Sequence, residues 1–234
     1  MKAPPIIALP GTLLDGRSLS DLLQGLDSRT EVLGTMANID DEVDRLARLA
    51  DDHAAVWLGH SLGGIVALHL AKRHPAKVAG LVLLAANARA GRDASEARRA
   101  AQWEVAHRDG LQALAHSKLA PGYGLAQSDA MLAALIEQAQ AVGLARFEHQ
   151  LAYARQRPGL LEPRWALNTP VLAVSGENDM LCPPEQSNEI VALARPPHCG
   201  VHARLTCAGH LFPMQQPREA AEHLRTFLHQ LQTP

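Results

Sequence analysis

The sequence predicts an α/β protein: a doubly wound, mainly parallel six-stranded sheet that carries a helical lid insertion. Three observations point there. Short apolar runs alternate with helical patterns, and parallel neighbours need such crossover connections. Val78–Ala85 is almost wholly apolar, as expected of a strand covered on both faces. The alternation then breaks over Asn87–Pro163, which is rich in Ala, Arg and Gln and has helical periodicity without a strand.

Taken in order, Ile6–Leu9 reads as the first strand, followed by Pro10-Gly11 and a helix near Leu19–Leu26. Glu31–Met36 is the second strand candidate. Asp40–Ala50 then places Val43, Leu46, Ala47 and Ala50 on one helical face. Ala54–Leu58 is the third strand and leads straight into Gly59-His60-Ser61-Leu62-Gly63-Gly64. The helix Ile65–Arg73 stops at His74, because the residue before a proline disfavours helical dihedrals. Val78–Ala85 is the fourth strand. The insert shows helical spacing around Ala94–His107, Leu111–Leu119 and Met131–Gln156. Val171–Ser175, Pro184–Ala194, Val201–Thr206 and Pro217–Gln230 resume the strand and helix alternation, with Pro184 and Pro217 at favoured helix-start positions. Residues 1–86 and 164–234 therefore form the expected core, and 87–163 the insertion.

Composition narrows the function. With 22 Lys+Arg against 24 Asp+Glu, the net charge of −2 argues against nucleic acid or an anionic membrane as the partner. Arg89, Arg92, Arg98 and Arg99 interleave with Asp93 and Glu96, which reads as a solvated helix face. Cys182, Cys199 and Cys207 are too few and too irregular for a disulfide framework or a zinc site, so a reduced, cytoplasmic protein without a metal is expected. No apolar run approaches the ~20 residues of a membrane span. Ile6–Leu9 is too short for a secretory signal, and the whole chain is the expected mature form.

Gly59-His60-Ser61-Leu62-Gly63 fits the G-x-S-x-G turn, in which a serine sits on a sharp strand-to-helix bend. The flanking glycines let strand and helix approach without a Cβ clash. A serine hydroxyl needs a histidine base, oriented in turn by a carboxylate. The loop after the fifth strand offers Asp179, with Glu177 as its rival, and the loop after the sixth offers His210 beside Gly209. The other histidines lie in helices, in the insert, or in and before the last strand, while His60 adjoins the serine but faces away from a base's position. An oxyanion hole needs two backbone donors, assigned to Leu62 and to Thr12 on the first loop. Asp15 on that loop is placed to cap the helix that follows.

These segments together resemble the α/β-hydrolase superfamily over nearly the whole chain, and are most similar to its small, cofactor-independent bacterial carboxylesterases. The resemblance implies a Ser61–His210–Asp179 triad, hydrolysis of a small-molecule ester through an acyl-enzyme, and a lid over roughly Asn87–Pro163. It also implies no metal or organic cofactor. Leu13, His60 and Leu211 are the expected pocket residues, and Trp103, Tyr123, Phe147, Tyr153 and Trp165 are lid aromatics available to an acyl group. Thioester, lactone and carbon–carbon bond hydrolysis use the same triad, and some relatives only bind ligands. The pattern departs from the family in three places. An N-terminal antiparallel hairpin is not expected, Pro10 replaces the common histidine before Gly11, and Thr35–Asn38 lacks the frequent glycine-rich turn.

Overall fold

The computed structural model describes residues 4–50, 53–91, 93–125, 130–162, 164–198 and 200–232. Arg92, Pro163 and Cys199, named above, lie outside them, as do the side chains of residues 93–95. Six parallel strands, β1 (Ile6–Leu9), β2 (Ser28–Thr30), β3 (Ala55–His60), β4 (Val78–Leu84), β5 (Val171–Gly176) and β6 (Gly200–Leu205), form one sheet in the order β2-β1-β3-β4-β5-β6. The order reverses between β1 and β3, so a crevice opens at the carboxyl ends of those two strands.

Both sheet faces are buried, which is why the inner strands lack polar alternation. Ile7, Leu9, Trp57, Leu81, Leu83 and Val171 pack on α1 (Ile39–Ala47), α2 (Leu62–Arg73) and α7 (Pro184–Val191). The alternate residues Ile6, Ala8, Val56, Leu58, Val82 and Leu172 pack on the opposite side with Leu19, Leu22 and the long α9 (Pro217–Gln230). Asn38 starts α1 by accepting the Asp41 N–H at 2.9 Å, a side-chain cap of the usual kind. A short α8 (Phe212–Gln215) precedes α9.

Between β4 and β5 the chain makes α3 (Asp93–Leu114), a π-helical turn (Ala115–Leu119), α4 (Ala120–Gly122), α5 (Ala130–Val142) and α6 (Leu144–Gln156). Leu114, Leu119, Leu132, Leu135, Phe147 and Leu151 build a third apolar cluster there, and Leu13, Leu14 and Leu211 of the core dock into it. No helix among the described residues is long and apolar enough to cross a membrane.

The structure corrects three expected elements. The second strand is the polar Ser28–Thr30, not Glu31–Met36. Carbonyls of that apolar stretch are taken by side chains of α6 instead of by a strand: Arg146 donates to Val32 O at 2.8 Å, Gln150 to Leu33 O at 3.0 Å and His149 to Gly34 O at 3.0 Å. The helix expected near Leu19–Leu26 is a 3₁₀ turn at Gly16–Ser18, capped by Asp15, followed by irregular turns that end at Gly25 with φ 79°. The expected helix Met131–Gln156 is two helices, because Gly143 with φ 83° breaks it.

Trp57 is fully buried at the centre of β3, and its indole N–H donates to Lys77 O at 3.0 Å. Trp57→Ala is expected to cost about 3–5 kcal/mol in urea denaturation, from the cavity and the unpaired carbonyl.

Candidate active site

Ser61 sits between β3 and α2 in a conformation that L-residues rarely adopt, with φ 53° and ψ −114°. Its N–H donates to Leu84 O at 2.8 Å, which ties the bend to β4. The bend is tight. A Cβ on Gly63 would lie 1.9 Å from Leu9 O, and one on Gly59 would lie 2.4 Å from the Gly63 backbone. Only glycine at both positions lets β1, β3 and the first turn of α2 converge, which presents the serine at the rim of the crevice.

Asp179 and His210 arrive on the neighbouring loops. The backbones of these loops are stitched together by Asn178 N–H to Ala208 O at 2.7 Å and Glu177 N–H to Leu205 O at 2.9 Å. His210 Nδ1 lies 2.8 Å from Asp179 Oδ2, and its Nε2 lies 2.9 Å from Ser61 Oγ. An ionised carboxylate only accepts, so Nδ1 carries the proton and Nε2 is free to accept the serine hydroxyl. Burial would raise the Asp179 carboxyl, but His210 and the N–H groups of Leu181 and Cys182 outweigh it and hold the group below its ordinary value. Glu177 points elsewhere, accepting from Arg204 at 2.9 Å and from the Cys207 N–H at 3.1 Å. Of the two carboxylates, Asp179 is therefore the one that meets His210.

His60 is 1% exposed, and its Nε2 donates to the backbone O of His210 at 2.9 Å. Burial is the main cause that pushes its imidazole down to about 3, so it stays neutral, and its Nδ1 has no partner among the described residues. The Tyr123 ring stacks on His210 with centroids 5.4 Å apart.

Thr12 and Leu62 both border the site, and neither backbone N–H donates to a group among the described residues. Leu62 opens α2, so its free N–H lies at the positive end of a helix. The next residue of the first loop, Leu13, has φ 57° and gives its N–H to Gln150 Oε1 at 2.9 Å. Asp15 N–H reaches Gln138 Oε1 at 3.1 Å. Both glutamines belong to the insertion and are buried, so α5 and α6 fix the loop that carries Thr12.

A cavity of about 430 Å³ lies over Ser61, and Thr12, Leu62, Tyr123 and His210 contribute to its walls. Leu13, His60 and Leu211, expected to line the pocket, are not among the residues around this cavity. Leu13 and Leu211 pack into the apolar cluster of the insertion, and His60 is buried beneath His210. Of the lid aromatics, Tyr123 borders the cavity, while Phe147 and Tyr153 are core residues. The basic cluster is also corrected. Arg89, Arg98 and Arg99 border the cavity, joined by Lys118 and Arg157, and Arg99 is 8% exposed rather than solvated. Sequence reasoning missed Gln138, Gln150 and Arg157. The signal for Gln150 was a polar residue on the helical face shared by Phe147 and Tyr153. No group of three metal-ligating side chains occurs among the described residues.

The architecture agrees with the comparisons. The sequence pattern of the alpha/beta hydrolase family matches residues 6–223, and the chain belongs to that family. A thermophilic esterase from Thermogutta terrifontis, solved with malate bound, is similar at 25% identity with a TM-score of 0.79, over 99% of this chain and 92% of that one. MenH from S. aureus superposes with a TM-score of 0.82 at 19% identity over 100% of this chain and 96% of that one. An enol-lactonase from Burkholderia xenovorans superposes at 0.80 and 19% identity over 98% and 92%. The latter two share the fold. No curated protein sequence matches the chain.

Gln150→Leu is expected to cost about 1–3 kcal/mol for the Leu13 N–H it strands, read by urea denaturation, while Leu33 O keeps its 3.5 Å bond from Arg146. His60 and His69 have imidazoles pushed down to about 3 and about 4, each chiefly by burial. The unfolded chain, with histidines near 6.5, then binds more protons, so stability is full above about 6.5 and falls with decreasing pH. Denaturation at stepped pH is expected to show that fall before carboxyls titrate near pH ~4, and His60→Gln is expected to flatten it.

Proposed function

We propose that the protein is a serine esterase that hydrolyses a small carboxylic ester through an acyl-enzyme, with Ser61, His210 and Asp179 as its catalytic triad. The observation that carries this reading is the continuous hydrogen-bonded chain Asp179–His210–Ser61 at the wall of an open cavity. Ser61 Oγ attacks the ester carbonyl as its proton passes to His210 Nε2. The carbonyl oxygen, now negative, takes up the free N–H groups of Thr12 and Leu62. The intermediate collapses, the carbon–oxygen bond breaks, and His210 returns the proton to the departing alcohol. Water, deprotonated by His210, then attacks the acyl-serine carbonyl; the bond to Ser61 Oγ breaks, His210 Nε2 returns the proton to Oγ, and the acid leaves. Asp179 holds the Nδ1–H tautomer and stabilises the imidazolium. Every proton and electron pair in this sequence is handled by the chain and water, so the mechanism draws on no metal or organic cofactor.

The helices between β4 and β5 act in this reading as a cap, residues 87–163, on a core formed by 1–86 and 164–234. Its contacts with the Thr12 loop through Gln138 and Gln150 support a second task, holding an oxyanion donor in place.

The test is a panel of p-nitrophenyl esters from acetate to decanoate. Ser61→Ala is expected to lower kcat by roughly 10⁴ with the fold intact by circular dichroism. Asp179→Asn is expected to cost about 10⁴ by favouring the wrong tautomer. Near-normal turnover in Ser61→Ala would overturn the assignment. A folded wild type without Ser61-dependent ester turnover would move it to thioester, lactone or carbon–carbon bond chemistry.

A further inference from the structure

We propose that the substrate is an anionic ester, whose acidic group, a carboxylate or a phosphate, is received by Arg157 and Arg99 in the insertion wall of the cavity. The proposal rests on the esterase reading for the bond that is cleaved, while its charge argument stands on separate residues.

The chain as a whole carries a net charge of −2, yet the cavity is bordered by Arg89, Arg98, Arg99, Lys118 and Arg157 and by no Asp or Glu among the described residues. These cations are not equivalent. Arg89 is neutralised by a two-pronged pair with Glu189, at 2.8 and 2.5 Å. Arg98 and Lys118 are exposed, where water screens them. Arg99 and Arg157 are different, being 8% and 7% exposed.

Arg157 carries the argument. Its guanidinium donates to Arg89 O at 3.0 Å, Ala154 O at 2.6 Å and Asn87 Oδ1 at 3.4 Å, all neutral acceptors. It meets no carboxylate within ion-pair distance among the described residues. A guanidinium has five N–H groups, so these bonds leave donors over. Burial and then the nearby Arg99 push Arg157 down to about 10, which leaves it charged at neutral pH. A buried cation without a counter-charge is costly, and a second cation beside it adds repulsion. A neutral amide would avoid that cost, though its one NH2 group could serve two of these acceptors at most. What an arginine adds is a planar charged fork suited to two oxygens of an acid group. An incoming anion would relieve the desolvation and the repulsion together.

The arrangement also divides the cavity by chemistry. Ser61, His210 and the Thr12 and Leu62 N–H groups belong to the core, whereas Arg99 on α3 and Arg157 just after α6 belong to the insertion. A cavity of about 430 Å³ suits a small molecule that spans both.

Two matched pairs test this. Mono-p-nitrophenyl adipate against p-nitrophenyl hexanoate places the charge on the acyl side. p-Acetoxybenzoate against its methyl ester places it on the alcohol side. In one pair, the wild type is expected to favour the anionic member by about tenfold or more in kcat/KM. Arg157→Gln and Arg99→Gln are each expected to reduce that preference at least about fivefold, and Arg157→Lys to retain part of it. If Arg157→Gln does not fold, Arg99→Gln and Arg157→Lys carry the comparison. Adipate and inorganic phosphate as competitive inhibitors distinguish the two acid groups. Equal or better turnover of the neutral member in both pairs would overturn the proposal, as would a preference untouched by the glutamine variants.

A protein that turns over no ester is tested by calorimetry with adipate and with phosphate. Binding lost in Arg157→Gln or Arg99→Gln would support the anion site while the esterase reading fails, and absence of binding by both anions would overturn it.

Discussion

The close approach of β1, β3 and the first turn of α2 is the constraint on which the rest of the site depends. No side chain fits at Gly63, where a Cβ would meet Leu9 O, and none at Gly59, where it would meet Gly63 itself. Because the backbones touch, Ser61 is forced into a positive φ and its N–H is anchored on Leu84 O. The same contact brings the loop after β1 beside the start of α2, so Thr12 and Leu62, whose N–H groups have no acceptor among the described residues, border one cavity. Strain at one residue is held by a sheet that over-determines it.

Polar side chains from the insertion then act on backbone that sheet pairing does not reach. Gln150 joins Leu13 N–H to Leu33 O, and Arg146, His149 and Tyr153 take the carbonyls of Val32, Gly34 and Met36. These contacts end β2 early and hold the first loop against the cavity. The insertion is thus joined to the core by directional bonds as well as by the apolar cluster around Leu13, Leu14 and Leu211. Beneath the site, neutral His60 supports the backbone of His210 while leaving one ring nitrogen without a partner among the described residues, a local cost kept beside His210.

Much of this was legible in the sequence. The glycine spacing around Ser61 and the positions of Asp179 and His210 after successive apolar strands follow from short-range backbone rules, which act over a few residues and leave a pattern. The failures have physical causes too. Ser28–Thr30 is polar because it lies at a sheet edge, so its strand left no apolar signal, while Val32 and Leu33 drew the assignment to a segment bonded by α6. Gly143 breaks a helical repeat whose apolar spacing continues on both sides. Arg98 and Arg99, set among acidic neighbours, read as a solvated face until the fold turned them towards a cavity.

Neighbours along the chain account for the α/β alternation, the strained serine bend and the order serine, aspartate, histidine, so these can be read from residue order. Which carboxylate meets His210, which loop N–H groups stay without a partner among the described residues, and that two buried arginines share the cavity with Ser61 emerge with the folded chain. Those outcomes depend on contacts between residues up to about 150 positions apart, such as His60 with the carbonyl of His210, and no local pattern encodes such a pairing.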